Sequence, residues 1–274
     1  MDELLRARAG FRLDEIYCSA TPGIAADKKR AAQLLADGAQ TLSTLQEKLF
    51  AASRGGDTRR VLLVLQAMDT AGKGGIVRHV VGAVDPQGVQ LAAFKKPTEH
   101  ELAHHFLWRI EQRVPAVGMI GVFDRSHYED VLVARVRSLA PADEIEQRYD
   151  EIVDFERRLV DEGVSIVKVM LHISRDEQKA RLHERLERPD KHWKYNPGDV
   201  DERMLWDDYQ RAYQLAIERT DAEHAPWFVV PADHKWYARL AVQSLLITAL
   251  ERIDPQWPVA DFDVEHEKKR LAAT

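Results

Sequence analysis

The sequence predicts an α/β fold in which a parallel, doubly wound sheet of five strands carries helices on both faces. Short apolar runs alternate with helical patterns along the chain, and the first of these runs leads into a glycine-rich turn. Runs that are apolar throughout are typical of strands buried on both faces of a parallel sheet. Ligands of such sheets bind at the carboxyl ends of the strands, so we expect the functional residues there.

The expected strands and helices follow from this alternation. The strands are residues 61–65, 89–94, 119–123, 165–171 and 227–230. The helices are residues 34–52, 76–84, 99–110, 143–161 and 236–253, with further helical segments on either side of 188–199. In the first helix, Leu42, Leu45 and Leu49 lie at positions i, i+3 and i+7, so they share one face.

The length and composition favour one domain over two small ones. The chain has 274 residues, of which 45% are hydrophobic, and this is ample for a single large core. We therefore predict one domain over residues 1–274, with an N-terminal extension that ends near residue 55.

Residues 61–76, VLLVLQAMDTAGKGGI, have the pattern of a phosphate-binding loop between a strand and a helix. Glycines let the backbone approach an anion closely, a lysine supplies a positive charge, and the amides at the start of a helix are unpaired. The residues predicted to bind phosphate are Lys73 and the amides of Ala71, Gly72, Gly74 and Gly75. The alternative is an ordinary glycine-rich turn from strand to helix.

The loop departs from the common G-x-x-x-x-G-K-[ST] pattern at two positions. Ala67 replaces the first glycine, and Gly74 replaces the hydroxyl residue that would reach a magnesium ion. A metal at this site then needs another oxygen ligand, and Asp69 within the loop is the candidate.

Charged residues follow two further strands. Asp124 and Arg125 would emerge at the carboxyl end of the third strand, where a carboxylate can hold Mg²⁺ directly or through water. The alternative is a helix cap followed by a surface ion pair. Lys95 and Lys96 follow the second strand and are candidates for phosphate binding, although adjacent lysines are equally typical of a solvated turn.

A cationic lid is predicted over about residues 175–199. Three arginines at positions i, i+4 and i+7 share one helix face that leads to two lysines. These cations are Arg181, Arg185, Arg188, Lys191 and Lys194. Five acidic residues between positions 175 and 194 could pair with the arginines instead and make an ordinary exposed helix.

The charge and cysteine content exclude several classes of protein. A net charge of -6 argues against a protein that coats nucleic acid, so a polyanion must meet local clusters of basic residues. The single cysteine, Cys18, excludes an internal disulfide framework, and a passive thiol is the favoured interpretation. No apolar run approaches the roughly 18 residues of a membrane span, and the first ten residues are too charged for a signal peptide. We therefore expect a cytoplasmic protein without a membrane or nucleic-acid partner.

Six segments of the sequence, taken in order, closely resemble the polyphosphate kinase 2 family. They are LQAMDTAGKGG, FKKPTEHELAHHFLWRI, GVFDRSHYEDVLVARV, RPDKHWKYNPGD, WDDYQRAY and APWFVVPADHKWY. Their combination is highly specific, and the resemblance extends from about Thr21 to beyond Trp236. It implies a single-domain P-loop kinase of the thymidylate-kinase-like type that moves phosphoryl groups between inorganic polyphosphate and nucleotides with Mg²⁺.

The resemblance also implies details of the substrates and the assembly. Glu129-Asp130 resembles the branch that phosphorylates nucleoside monophosphates and diphosphates, whereas other branches have Asn-Arg. Adenine nucleotides, with guanine nucleotides as an alternative, would then accept the terminal phosphoryl group in a reversible reaction. Mn²⁺ is an alternative to Mg²⁺, and the family forms homo-oligomers, usually dimers or tetramers.

The resemblance and the residues together assign roles within the predicted site. Asp69 and Asp124 would hold the metal. Lys73 would bind the transferred phosphate, and Arg125 would bind the polyphosphate chain. The remaining candidates for phosphate or nucleotide binding are Glu129 and the lid residues Arg181, Arg185 and Lys191.

Two other functions remain open. A conventional nucleoside monophosphate kinase would use the same sheet and loop with ATP as the donor. A non-catalytic nucleotide or phosphate sensor would keep the loop but would lack the second carboxylate and the lid. Asp124 and residues 181–194 therefore argue against a sensor.

Overall fold

The structure, a computed structural model, describes residues 1–274 and contains one sheet of five parallel strands. The strands are β1 (Arg60–Ala67), β2 (Val89–Ala93), β3 (Ile120–Asp124), β4 (Val164–His172) and β5 (Trp227–Pro231). Their order across the sheet is β2-β3-β1-β4-β5. The predicted parallel α/β class is confirmed, and each of the five predicted strands overlaps an observed one.

Twelve helices connect and cover the strands. They are α1 (Asp2–Leu5), α2 (Lys28–Arg54), α3 (Lys73–His79), α4 (Glu99–Leu102), α5 (Trp108–Glu111), α6 (Glu129–Val136), α7 (Ala142–Asp161), α8 (Arg175–Glu187), α9 (Gly198–Met204), α10 (Trp206–Thr220), α11 (Lys235–Ile253) and α12 (Val264–Ala272). None of them combines the length and the apolar character needed to cross a bilayer.

β1 lies at the centre of the sheet because its sequence, RVLLVLQA, is apolar on both faces for most of its length. Every residue from Val61 to Ala67 is buried. β3 pairs with β1 on one side and β4 on the other, so that Leu65 lies opposite both Asp124 and Val169. This register brings the ends of β1 and β3 together, and the residues that follow these two strands lie at the same edge of the sheet.

Two groups of helices cover the sheet. α2 and α3 both pack against α11, whereas α6, α7 and α10 pack against one another. Leu42 and Leu49, from the face predicted for the first helix, are buried, and Leu45 packs against the core. The apolar core draws on residues from Leu5 to Ile253.

The N-terminal segment covers the outer edge of β5. Ala7 N donates a hydrogen bond to Trp227 O at 2.9 Å, and Arg6 forms an antiparallel bridge with Phe228. An uncovered edge strand would offer unpaired N–H and C=O groups to other chains. The N-terminal residues therefore complete the sheet.

The structure corrects the prediction of a single helix over residues 99–110. Two short helices, α4 and α5, form instead, and residues 103–107 connect them. A capping box of Thr98 and Glu101 defines the start of α4. The two histidines that follow are weak helix formers, so the helix ends there.

The helix after the phosphate-binding loop is also shorter than predicted. α3 ends at His79, and a single 3₁₀ turn, Val81–Ala83, follows it. β-branched Val80 and Val81 and then Gly82 have low helix propensity, which accounts for the early end.

Candidate active site

The loop between β1 and α3 is a compact turn in which Ala71 N donates to Met68 O at 3.3 Å. Thr70 and Gly72 have positive φ angles of 64° and 123°, a region that favours glycine and is strained for threonine. Lys73, the first residue of α3, folds back over the loop, and its Nζ donates to Ala67 O at 3.1 Å. The ammonium group therefore lies at the carboxyl end of β1, as the phosphate-loop pattern requires.

A strongly basic cavity of about 470 Å³ lies against this loop. Eight lysine and arginine side chains line it: Lys73, Arg78, Arg125, Arg185, Lys191, Lys194, Lys235 and Arg239. Two carboxylates, Asp69 and Asp124, line the same space. Since the whole chain carries a net charge of -6, this concentration of cations is local, and its electrostatics suit a polyanion.

Three of these cations lie on the side of the cavity formed by α3 and α11. Arg78 lies within α3, and Lys235 and Arg239 lie in the first two turns of α11. The Arg239 guanidinium approaches Gly75 of the loop, since a Cβ atom built on this glycine would be in ordinary contact with it at 3.7 Å. Burial and the charges of Arg239 and Arg78 lower the pKa of His79. These three cations are absent from the sequence prediction. For Lys235 and Arg239 the reason is that their approach to the loop depends on how α11 packs.

Asp124 ends β3, and Arg125 follows it with a positive φ of 63°. This backbone conformation is unfavourable for arginine, and such strain persists only where the surrounding structure imposes it. The Arg125 guanidinium lies 3.1 Å from the Asp69 carboxylate and 3.7 Å from that of Glu129. An ion pair between two predicted site residues therefore joins the loop after β1 to the end of β3.

A second cavity, of about 220 Å³, adjoins the first and is acidic. Asp69 and Arg125 line both cavities. The carboxylates of the second cavity are Asp69, Glu129, Asp199 and Glu202, and its apolar and aromatic side chains include Met68, Leu132, Val133, Tyr209 and Tyr213. Burial raises the pKa of Glu129, and burial together with the charge of Asp69 raises the pKa of Asp199. The two cavities thus differ in charge and meet at the Asp69–Arg125 ion pair.

Arg181, predicted as a lid cation, instead ties the phosphate-binding loop to the end of β5. Its Nη1 donates to Thr70 O and Ala71 O, both at 3.0 Å. Its Nη2 donates to Ala232 O and Asp233 O at 2.7 and 2.8 Å, and its Nε donates to a carboxylate of its own helix. All five N–H donors of the guanidinium are then used. Arg181 holds the loop in place and has no donor left for a phosphate, which corrects the sequence prediction.

Two other predicted lid residues do reach the basic cavity. Arg185 and Lys191 line it together with Lys194. Arg185 Nη1 donates to Lys194 O at 3.0 Å and lies 3.2 Å from Asp199, so it joins α8 to the residues that precede and begin α9. Arg188 pairs with carboxylates at the surface and does not line the cavity.

Lys95 and Lys96 lie apart from the site. Both are exposed after β2, and neither lines the basic or the acidic cavity. β2 is an edge strand, and β3 separates it from β1. The geometry therefore favours the solvated turn over phosphate binding for these two lysines.

A third cavity, of about 700 Å³, contains no residue of the phosphate-binding loop. It lies between the N-terminal segment, the end of β4 and the start of α10, with Leu13, His172 and Trp206 in its wall. Cys18 lines it, and burial raises the pKa of this thiol to about 12. A thiol of such high pKa is a poor nucleophile, in agreement with the passive role expected for it.

Comparison with known proteins decides the family. The family model described as "Polyphosphate kinase 2 (PPK2)" matches residues 25–258, which include both cavities. The chain belongs to the polyphosphate kinase 2 family. The resemblance inferred from the six sequence segments is thereby confirmed.

Relatives within the polyphosphate kinase 2 family match over most of their length. An "AMP/ADP-polyphosphate phosphotransferase" of Meiothermus ruber is 46% identical, with 90% of this chain and 91% of that protein covered. An "ADP-polyphosphate phosphotransferase" of Rhodopseudomonas palustris is 41% identical, with 84% and 83% covered. The solved structure of polyphosphate kinase 2 from Arthrobacter aurescens TC1 is 58% identical, with a TM-score of 0.98 over 99% of this chain and 96% of that one. The phosphate-loop kinase fold expected from the sequence is thus that of the family.

Proposed function

We propose that this member of the polyphosphate kinase 2 family transfers the terminal phosphoryl group of inorganic polyphosphate to AMP or ADP, and that it also catalyses the reverse reaction. The P–O bond that holds the terminal phosphate breaks, and a new bond forms to a phosphate oxygen of the nucleotide. Polyphosphate becomes one unit shorter, while AMP becomes ADP or ADP becomes ATP. The names of the Meiothermus and Rhodopseudomonas relatives, which state AMP/ADP and ADP, support this choice of acceptors.

The observation that carries this proposal is the charge of the cavity beside the phosphate-binding loop. Eight lysine and arginine side chains and two carboxylates line about 470 Å³. A nucleoside triphosphate needs cations for three phosphates, whereas its uncharged base and ribose gain nothing from further cations. A cavity that is basic on both its lid side and its α11 side fits a chain of phosphates better than a nucleoside.

The acidic cavity is the proposed binding site for the nucleoside part of the acceptor. Its four carboxylates repel a polyphosphate chain but can accept hydrogen bonds from ribose hydroxyls or a base amino group. Its one cation, Arg125, lies at the boundary with the basic cavity. An acceptor bound there would place its phosphate at the Asp69–Arg125 pair, facing the end of the polyphosphate chain.

The chemistry requires positioning more than proton transfer. The terminal phosphate of AMP or ADP is largely ionised near neutral pH, so no general base has to activate it. Catalysis then depends on in-line alignment and on cations that neutralise the phosphate oxygens. We assign Lys73 and the loop amides to the transferred phosphate. Arg125, expected from the sequence on the polyphosphate chain, is assigned instead to the acceptor side of this phosphate, because it lines both cavities.

We further propose that Asp69 and Asp124 hold Mg²⁺, or Mn²⁺ in its place. Both carboxylates line the basic cavity, and no cluster of three or more histidine, cysteine or carboxylate side chains forms a complete protein cage. This donor set fits Mg²⁺, which usually binds one or two carboxylates, several waters and the substrate phosphates. When bound, the metal would neutralise charge on the phosphate oxygens.

Asp124→Asn should raise the Mg²⁺ concentration for half-maximal rate by about tenfold or more, because one anionic ligand is lost. Removal of divalent cations with EDTA should abolish activity, and Mg²⁺ or Mn²⁺ should restore it. The Mg²⁺ concentration for half-maximal rate is obtained from initial rates at saturating polyphosphate and ADP, measured over a range of metal concentrations. Asp154→Asn, an exposed position on α7, is the matched control. An unchanged metal requirement in Asp124→Asn would show that Asp124 is not a metal ligand.

Arg239→Ala should raise the KM for polyphosphate about three- to tenfold and leave the KM for ADP unchanged, because Arg239 lies on the α11 side of the basic cavity. The difference from wild type should shrink at high salt, since exposed charges are screened. Arg252→Ala, at the opposite end of α11, serves as the control. Equal changes in the KM values for polyphosphate and for ADP would show that Arg239 does not act specifically in polyphosphate binding.

One experiment tests the main proposal against both rival functions. Purified protein is mixed with Mg²⁺, long-chain polyphosphate and either AMP or ADP, and the nucleotides are resolved by chromatography. The proposal expects new ADP from AMP and new ATP from ADP. Product from ATP plus AMP but none from polyphosphate would indicate a conventional monophosphate kinase, and no product in any mixture would indicate a sensor.

We also propose a cytoplasmic location, a homo-oligomer and activity towards guanine nucleotides. Exposed apolar side chains near the C-terminus, Trp257, Phe262 and Leu271, support self-association. Light scattering coupled to size exclusion should give a mass of two or four chains, and a single chain would contradict this. Replacement of ADP by GDP in the assay above tests the base preference.

A further inference from the structure

A buried polar cluster lies directly behind the Asp124–Arg125 end of β3. It joins His127 and Tyr128, which follow Arg125 by two and three residues, to Glu156 of α7 and Lys168 of β4. All four side chains are at most 1% exposed. The proposed reaction uses none of them directly, yet they are attached to the chain segment that carries two of its site residues.

Lys168 is fully satisfied within this cluster. Its Nζ donates to Glu156 Oε2 at 2.6 Å, to Tyr128 Oη at 3.0 Å and to Thr220 O at 2.8 Å. These bonds use all three N–H donors of the ammonium group. The same nitrogen lies 5.3 Å from the ring centre of Trp227, so an aromatic ring also stabilises the charge.

Glu156 connects this cation to the segment after Arg125. Its Oε2 accepts from Lys168, and its Oε1 accepts the hydroxyl hydrogen of Tyr128 at 2.8 Å. The same Oε1 lies 3.1 Å from His127 Nε2. Glu156 therefore holds two consecutive residues of the β3–α6 connection through one oxygen, while Lys168 fixes the position of the carboxylate.

A second set of bonds holds the residue next to Arg125. Ser126 Oγ accepts from Tyr128 N at 3.2 Å, and the side-chain amide of Gln66 in β1 lies 3.0 Å from the same oxygen. The three residues after Arg125 are thus tied to β1, β4 and α7. This arrangement can impose the strained φ of 63° on Arg125, since such strain persists only when the surroundings over-determine the backbone.

Burial of an ion pair is poor evidence of a contribution to stability. Removing two charges from water is costly, and well-packed apolar residues often serve the fold equally well. A role in positioning would explain why a lysine and a glutamate occupy the buried core at this point of the chain. The position of the pair, directly behind Arg125, is consistent with that role.

We propose that Lys168 and Glu156 are positioning residues that set the backbone at Arg125, and through it the Arg125 guanidinium between the two cavities. This inference rests on the proposed phosphotransferase function. A displacement of a reacting group by about 1 Å can lower a rate about 100-fold. Loss of the pair should therefore lower kcat, while substrate binding, which depends on many other cations, stays nearly unchanged.

The first test is Lys168→Met, which keeps the length of the side chain and removes its charge. We expect kcat for polyphosphate and ADP to fall about 10- to 100-fold, with both KM values within about twofold of wild type. Leu159→Ala is the control for general destabilisation, because Leu159 is buried on the same helix as Glu156 and packs in the apolar core. Both Lys168→Met and Leu159→Ala should lower Tm, but Leu159→Ala should leave kcat within about twofold of wild type.

Two double variants separate positioning from stability. Lys168→Met/Glu156→Gln and Lys168→Met/Glu156→Leu both remove the unpaired buried carboxylate, so both should have a higher Tm than Lys168→Met. Only glutamine keeps an oxygen that can accept from His127 and Tyr128. We therefore expect kcat to recover in the glutamine variant and to stay low in the leucine variant.

The outcomes distinguish failure of this inference from failure of the proposed function. Wild type that makes no ATP from polyphosphate and ADP overturns the function itself. Active wild type with unchanged kcat in folded Lys168→Met, or equal kcat in the two double variants, overturns the positioning role. If Lys168→Met does not fold, Tyr128→Phe removes only the shared hydroxyl and should lower kcat about tenfold without a change in KM. Wild-type kcat in Tyr128→Phe would also overturn the role.

Discussion

Replacing Lys73 by methionine should lower kcat for phosphoryl transfer from polyphosphate to ADP by about 100- to 1,000-fold. This is the usual cost of removing one positioned donor to the charge that develops in a transition state. Lys73 Nζ lies 3.1 Å from Ala67 O, next to the amides of the phosphate-binding loop, and it lines the basic cavity. Methionine keeps most of the side-chain length, so the change in rate reports the charge. The change in kcat is measured by steady-state kinetics at saturating Mg²⁺.

Lys95→Met is the matched control for this prediction. Lys95 is exposed and lines neither cavity, so the same substitution there should leave kcat and both KM values within about twofold of wild type. A large rise in the KM for polyphosphate in Lys95→Met would favour the alternative from the sequence, in which Lys95 binds phosphate. Wild-type turnover in Lys73→Met would show that the phosphate-binding loop has been assigned the wrong role.

Replacing Arg125 by alanine should lower kcat by about 10³- to 10⁵-fold, the range seen when an arginine that stabilises phosphoryl-transfer charge is lost. Arg125 is the one cation that lines both the basic and the acidic cavity, and it pairs with Asp69 at 3.1 Å. Its removal leaves Asp69 and Glu129 without their shared partner, so these carboxylates would also repel the incoming phosphate. Single-turnover experiments separate this loss of chemistry from weaker binding.

Two further variants sharpen the Arg125 prediction. Arg125→Lys keeps a charge but not the planar, forked donor, and it should recover only part of the lost rate. Arg157→Ala, an exposed arginine on α7, should behave as wild type. Equal rates for Arg125→Lys and wild type would mean that charge alone suffices at this position. A rate for Arg125→Ala within about tenfold of wild type would contradict a role in the transition state.

Much of the fold could be predicted from the sequence because its signals are local. Runs rich in valine, isoleucine and leucine, such as VLLVL and SIVKVML, favour strands, and all five expected strands appear. The phosphate-binding loop is also local, since Asp69, Gly72 and Lys73 lie within five residues. Errors occurred where local preference was weak, as at residues 99–110, where two short helices replace one.

The lid shows where prediction from local sequence fails. Arg181 and Arg185 share a helix face, and spacing alone gives them the same role. In the folded chain, Arg185 lines the basic cavity. Arg181 instead donates from both Nη atoms to backbone carbonyls of the loop and of the end of β5, and from Nε to Glu177. The difference depends on which carbonyl groups lie nearby, and no local pattern records this.

The sequence by itself determined the class of the sheet, the phosphate-binding loop, the Asp124–Arg125 pair and the polyphosphate kinase 2 family. The tertiary structure alone decided which distant cations join the loop, how the basic and acidic cavities divide at Arg125, and that Lys168 and Glu156 meet behind it. The physical reason is the separation along the chain between the residues that interact. Strands and loops follow from neighbours along the chain, whereas charge complementarity and buried ion pairs depend on residues that only packing brings together.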